Sequence, residues 1–73
     1  MQIILVDGAG QVTELNLIPH EDNPQLMIID EFTDCIDRAI ANVDNLLEGE
    51  HFEYEIAGVI KYDERRTIKK IIL

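Results

Sequence analysis

The most restrictive feature of the sequence is the strict alternation of residues 52–62, FEYEIAGVIKY. Side chains of a β-strand point alternately to its two faces, so a period of two is typical of a half-buried strand. One face would carry Phe52, Tyr54, Ile56, Gly58, Ile60 and Tyr62. The other would carry Glu53, Glu55, Ala57, Val59 and Lys61. The pattern predicts one continuous strand and therefore a sheet.

Three shorter segments also predict strands. Residues 2–6 (QIILV) and 12–18 (VTELNLI) are rich in β-branched and apolar side chains, and the turn residues 7–10 (DGAG) separate them as in a β-hairpin. Residues 67–73 (TIKKIIL) follow the polar turn 63–66 (DERR) and form the last predicted strand.

The middle of the chain predicts one long helix. Asn23 followed by Pro24 resembles a helix start, with Asn23 as the N-cap, and Gly49 is a plausible C-terminal cap. Between them an apolar stripe recurs at the helical spacing of three and four residues: Ile29, Phe32, Ile36, Ile40, Val43 and Leu47. An alternative places residues 26–29 (LMII) in an extended segment, with Asp30 capping a shorter helix.

These elements predict a single α+β domain over residues 1–73, in the order ββαββ. Its four-stranded, mainly antiparallel sheet would have one long helix packed on one face. Ile3 and Leu5 would then point away from Ile4, so apolar side chains on the second face stay uncovered. They are either ordinary surface aliphatics or the contact of a homodimer, formed through the open face or an edge strand.

The charge of the chain limits its partners. The net charge is −9, and residues 1–60 hold 13 acids and one base, whereas residues 61–73 hold five bases and two acids. Phosphate backbones are bound by Lys and Arg, so the balance disfavours a nucleic acid or an anionic membrane and favours a basic protein. The single cysteine, Cys35, cannot form an intramolecular disulfide, and the first residues lack the pattern of a signal peptide. We therefore expect a cytoplasmic protein.

No motif predicts a catalytic, cofactor or metal site. A chain of 73 residues has little core from which to build a deep cleft, so we expect no enzymatic activity. The turn Gly8-Ala9-Gly10 precedes a strand and not the helix that a phosphate site needs. His20, His51 and Cys35 show no metal-ligand spacing, and His20-Glu21-Asp22 lacks the pattern of a calcium loop.

Acidic residues of the predicted helix would form a ridge beside its apolar stripe. At about 100° per residue they lie within about 40° of one line, over a length of about 27 Å. The residues are Asp30, Asp34, Asp37, Asp44 and Glu48. Such a ridge destabilises its own helix, because like charges at i,i+4 repel and Asp is a poor helix former. It is either a solvated face or a surface for a partner, and Glu53 and Glu55 could widen it.

In charge and size the chain is similar to the DNA-mimic inhibitors that viruses and mobile elements make, a group that shares a property and not a motif. The leading hypothesis is therefore a non-enzymatic acidic module that occupies the nucleic-acid-binding surface of a basic host protein. Nucleoid-associated, nuclease and CRISPR-type proteins are candidate targets. The alternatives are a homo-oligomeric assembly protein that uses its open sheet face, and an immunity or antitoxin protein that neutralises a basic enzyme.

Overall fold

The computed structural model describes residues 1–33 and 37–73, and they form an antiparallel β-barrel. The strands are β1 (Gln2–Asp7), β2 (Val12–Pro19), β3 (Leu26–Ile29), β4 (Ile40–Asn42), β5 (His51–Ile56) and β6 (Val59–Ile72). Each strand pairs with the next in the chain, and β6 closes the barrel by pairing with β1. Short 3₁₀ turns lie at Asp30–Phe32, after β3, and at Val43–Asn45, after β4.

The prediction of an α+β fold with one long helix is wrong. Across the described residues there is no α-helix, and the segment predicted to be helical contributes β3, β4 and the two 3₁₀ turns. The alternative that made residues 26–29 extended is confirmed, because they are β3. A single helix covers only one face of a sheet, whereas closing the sheet brings all inward side chains into one core and leaves no free strand edge.

The helix start signal has a different role in the folded chain. The side chain of Asn23 accepts a hydrogen bond from the Gln25 N–H at 2.9 Å, and the Asn23 carbonyl accepts one from the Leu26 N–H at 3.1 Å. These bonds make a turn that leads into β3. Asn followed by Pro suits both structures, since Asn side chains bond nearby backbone groups and Pro fits the second position of a turn.

The first predicted hairpin is confirmed. β1 and β2 pair in the register Ile3 with Leu15 and Leu5 with Thr13. The Asp7 carboxylate holds the turn by accepting hydrogen bonds from the backbone N–H groups of Ala9 and Gln11, both at 2.9 Å. The turn therefore satisfies its own backbone donors, and no phosphate-binding helix follows it.

The predicted continuous strand 52–62 is in fact a second hairpin. Ala57 and Gly58 have positive φ values of 52° and 76°, which is the backbone of a two-residue turn joining β5 to β6. Across this turn Glu53 pairs with Tyr62 and Tyr54 pairs with Lys61. Lys61 therefore shares a face with Tyr54 and not with the two glutamates, contrary to the prediction from uninterrupted alternation.

The predicted polar turn at residues 63–66 is a bulge inside β6. His51 pairs with Thr67 while its neighbour Phe52 pairs with Asp63, so residues 64–66 have no partner on β5. The His51 Nδ1 lies 3.0 Å from the carbonyl oxygens of both Asp63 and Arg66, which makes this nitrogen the donor. The bulge bends β6 from its pairing with β5 towards its pairing with β1.

Among residues 1–33 and 37–73, ten buried apolar side chains fill the barrel. They are Ile3, Leu5, Leu15, Leu17, Ile29, Ala39, Ala41, Leu46, Phe52 and Ile68. A barrel of about eight strands is just wide enough for side chains to fill its interior, and this one has fewer. Any ligand must therefore bind outside the barrel. Among the described residues no helix has the length and apolar character needed to cross a membrane.

Candidate partner-binding surface

The structure disperses the predicted acidic ridge. Asp30 lies in the first 3₁₀ turn and Asp44 in the second, both exposed, and Asp37 is half-buried in the segment before β4. Asp34 lies outside the described residues. Because the line of carboxylates required helical periodicity, the ridge proposed from the sequence does not form.

Two acids of this region stabilise the fold. The Glu48 carboxylate accepts a hydrogen bond from the Ile71 backbone N–H at 2.9 Å. The Glu31 carboxylate accepts three hydrogen bonds from Asn16. The Asn16 backbone N–H lies 2.9 and 3.2 Å from the two carboxylate oxygens, and the Asn16 side-chain amide lies 2.8 Å from one of them. Glu48 was predicted to bind a partner, whereas Glu31 lay outside the predicted ridge.

The hydrogen bonds of Glu31 change its acidity. Desolvation of the carboxylate raises the pKa of Glu31, but the hydrogen bonds from the Asn16 backbone, from the backbone N–H of Glu31 and from the Asn16 amide together outweigh this effect. The pKa of Glu31 is consequently lowered from its ordinary value of 4.5. The carboxylate that fastens the first 3₁₀ turn to β2 is thus kept ionised.

The remaining two predicted acids, Glu53 and Glu55, lie on the outer face of β5. Their cross-strand partners are Tyr62 and Ile60 on β6, and Ile40 of β4 also pairs with Glu55. On its other side, Ile40 pairs with Ile28 of β3. Apolar side chains therefore surround a carboxylate on this part of the outer wall, which extends over β3 to β6.

A groove of about 190 Å³ opens in this wall. The β4 and β5 strands pair only at Ile40 and Glu55, so they separate beyond that point and leave a gap. It is lined by the apolar residues Leu26, Ile40 and Ile60, by the polar residues Asn42, Asn45, Glu53 and Glu55, and by Tyr54, whose side chain lies on the inner face of β5. We call it the β4–β5 groove. It joins two predicted acids to six residues that the sequence did not single out as a site.

The two glutamates of the groove lack a positive partner within the described part of the chain. The ion pairs found there are Arg38 with Glu21 and Arg66 with Asp63, both at 2.8 Å. Lys61 lies on the opposite face of the hairpin because it pairs with Tyr54. The groove is thus an apolar hollow with two negative charges that the described residues do not neutralise.

A second acidic group, His20-Glu21-Asp22, has ligand atoms within 4.8 Å of one another. Arg38 already supplies the positive charge there, because one guanidinium nitrogen lies 2.8 Å from Glu21 Oε1 and the other 2.8 Å from His20 Nε2. A hydrogen bond from its own backbone and the Arg38 guanidinium lower the pKa of Glu21. The arrangement is an ion pair that ties the β2–β3 loop to the segment before β4, and it does not suit a metal.

Sequence reasoning missed the groove because its members come from five separate elements, four strands and the second 3₁₀ turn. Leu26 and Ile40 were assigned to a helix, and Asn42 and Asn45 were not considered. A local signal was present at Asn42, whose side chain accepts a hydrogen bond from the Asp44 N–H at 2.9 Å, as Asn does at the start of helical turns. That signal marks a turn and does not reveal that β5 lies beside it.

Comparison of the chain with protein-family models, with curated proteins and with solved structures finds no match. The groove, its charges and the charge of the whole molecule are therefore the observations from which a function is inferred.

Proposed function

We propose that this protein is a non-enzymatic acidic module that binds a basic protein through the wall around the β4–β5 groove. The observation that carries the proposal is the pairing of an apolar hollow with Glu53 and Glu55, which no described cation neutralises. A net charge of −9 attracts a basic partner over distance, and the groove supplies short-range contacts.

The partner class that best suits this charge is a protein whose exposed surface is basic, such as the nucleic-acid-binding face of a nucleoid-associated, nuclease or CRISPR-type protein. Binding there would prevent the partner from holding nucleic acid. A regular line of phosphate substitutes is not part of this function, because that line requires an α-helix that the described residues do not form. A cytoplasmic location belongs to the same proposal, because the partners named are found with nucleic acid inside cells.

Charge reversal tests the proposal. Glu53→Lys with Glu55→Lys should abolish capture of basic proteins from nuclease-treated lysate, because repulsion replaces attraction at the groove. The matched control is Glu14→Lys with Glu64→Lys, two exposed acids outside the groove. Each double variant raises the net charge from −9 to −5, so the two double variants differ only in the position of the reversed charges.

A captured protein would then be purified and titrated calorimetrically with both double variants at low and high salt. We expect affinity to fall with salt, because exposed charges are screened over about 10 Å at 0.1 M ionic strength. Equal losses in the two double variants would show that net charge alone attracts the partner and that the groove is not the site. Binding unaffected by either variant would contradict an electrostatic module altogether.

A further inference from the structure

The geometry points to a specific ligand for the β4–β5 groove: we propose that it receives one arginine side chain from an extended, apolar-flanked segment of the partner. This inference rests on the proposed function and names the element of the partner that is recognised. It follows from the size of the groove, from the order of its apolar and polar residues and from the state of its acceptors.

The size suits one side chain. Small-molecule and cofactor pockets usually measure about 300–1,000 Å³. The groove, at about 190 Å³, is smaller than that range and is open to solvent at the outer wall. A long, unbranched side chain can enter such a gap between two strands, whereas a whole cofactor cannot.

The apolar lining suits the stem of the side chain. Arginine buries its methylene groups along apolar surface while its charged head stays near polar groups. Leu26, Ile40 and Ile60 provide that surface.

The ring of Tyr54 is held in place by the core. Its centroid lies 5.4 Å from the buried ring of Phe52 and 5.2 Å from that of Phe32, which packs against the core. Aromatic pairs at these separations stabilise each other beyond their buried area. This packing on the inner face fixes β5, so Glu53 and Glu55 on its outer face are positioned before a ligand arrives, which lowers the entropic cost of binding.

The polar lining suits the head of the side chain. A guanidinium has five N–H donors and no acceptor, so it needs several oxygen atoms around it. Glu53 and Glu55 offer carboxylates, and Asn45 offers an amide oxygen. Asn42 is less available because its oxygen already accepts the Asp44 N–H, and it serves to hold the turn that carries Asn45. A lysine ammonium has three donors and no planar face, so we expect it to bind more weakly.

A second copy of this chain is a poorer occupant. A two-fold symmetric contact places the same patch of each subunit against the other, so the glutamates of one groove would face those of its partner. Like charges placed together across an interface repel each other and weaken the contact. A basic segment from another protein neutralises the charge of Glu53 and Glu55, whereas a second copy of the chain brings two more glutamates to the contact.

The test is a titration of the whole ¹⁵N-labelled protein with the capped tripeptide acetyl-Ile-Arg-Ile-amide, followed by NMR. We expect saturable shifts confined to the side-chain amides of Asn42 and Asn45 and the backbone amides of Glu53, Tyr54 and Glu55. The same tripeptide with citrulline has nearly the same shape without the charge and should bind about tenfold more weakly, a difference of about 1.4 kcal/mol.

Two double variants separate a loss of binding from a loss of folding. Glu53→Gln with Glu55→Gln should remove the preference for arginine over citrulline while the rest of the spectrum stays unchanged. Glu14→Gln with Glu64→Gln should retain the preference. Equal binding of the two tripeptides to the unmodified protein would overturn the proposal, and so would shifts spread over all exposed acids. A dimer detected by light scattering would also overturn it if the dimer contact buries the groove.

The outcome also separates this inference from the function on which it rests. If the groove does not bind the tripeptide but capture of basic partners still depends on Glu53 and Glu55, the arginine site alone is overturned. Selective binding of the arginine tripeptide without capture of any basic protein would overturn the proposed function and support the site.

Discussion

Single residues decide the conformation of the β5–β6 hairpin, and Ala57 is the least favourable of them. It has a positive φ of 52°, a conformation that costs a residue with a Cβ atom roughly 1–2 kcal/mol. Two-residue hairpin turns prefer Asn-Gly, because both positions need positive φ and Asn tolerates it better than other side chains do. Ala57-Gly58 thus fulfils the requirement at only its second position.

Ala57→Asn should therefore stabilise the protein by about 0.5–1 kcal/mol. Chemical denaturation followed by circular dichroism measures the change. Ala9→Asn is the control, because Ala9 also lies in a hairpin turn but is not among the residues with positive φ. If both substitutions have the same effect, the gain does not come from the backbone conformation at Ala57.

The same turn shows what residue patterns can and cannot predict. The alternation of residues 52–62 correctly indicated extended chain, and the faces of Phe52, Tyr54 and Ile56 towards the core agree with it. It could not place Lys61, because a turn of two residues makes odd-numbered positions pair with even-numbered ones. The expectation that Lys61 faces Glu53 and Glu55 was wrong for this reason.

At the scale of elements, the first 3₁₀ turn shows how an acidic side chain can fasten one segment to another. Glu31 in that turn binds the backbone and side chain of Asn16 on β2. Since these bonds need the ionised carboxylate, they lower its pKa in the folded chain relative to the unfolded one. Stability then depends on pH through this group.

Glu31→Gln should destabilise the protein at neutral pH by about 1 kcal/mol, a value reduced from that of buried charged hydrogen bonds because Glu31 is exposed. A folded-state pKa below the ordinary value of 4.5 means that the stabilisation is complete above that pH and is lost as the pH falls through the folded-state pKa. Thermal unfolding across this range should show the two proteins converging in acid. Glu14→Gln controls for the loss of one charge, and a difference that persists undiminished in acid would contradict the account.

The wrong prediction of a long helix came from the apolar spacing of the middle segment. The apolar spacing of three and four residues fitted a helix, but it fits equally the end of β3, a 3₁₀ turn and β4, which contain Ile29, Phe32 and Ile40 in turn. The like charges at i,i+4 and the poor helix propensity of Asp were recognised as costs of a helix. The chain avoids these costs, because no α-helix forms over the described residues.

For the molecule as a whole, the charge is out of balance. Fifteen acids face six bases, and the described residues contain only two ion pairs. Compact folding concentrates like charges, and self-repulsion then destabilises the folded state. The barrel tolerates this because its ten-residue core is apolar throughout, with no buried polar or charged residue among those described.

Added sodium chloride should consequently raise the melting temperature, because screening weakens repulsion more than it weakens the few ion pairs. Differential scanning calorimetry between about 0.01 M and 0.1 M salt covers the range in which the screening length falls from about 30 to about 10 Å. Glu14→Lys with Glu64→Lys reduces the net charge from −9 to −5 and should show a smaller rise. A melting temperature that falls with salt would mean that attractive pairs outweigh repulsion.

The local features of this protein follow from the order of its residues: the extended segments of β1 and β2, the first hairpin turn, and an acidic stretch before Lys61 in which Arg38 is the one base. Alternation and turn chemistry act over a few neighbouring residues, so they can be deduced from the order of residues. Only the folded chain shows that the sheet closes, and that Glu53 and Glu55 meet Leu26, Asn42 and Asn45 in one groove. Those contacts depend on strand register, which the turn at Ala57-Gly58 and the short pairing of β4 with β5 set across residues distant in the chain.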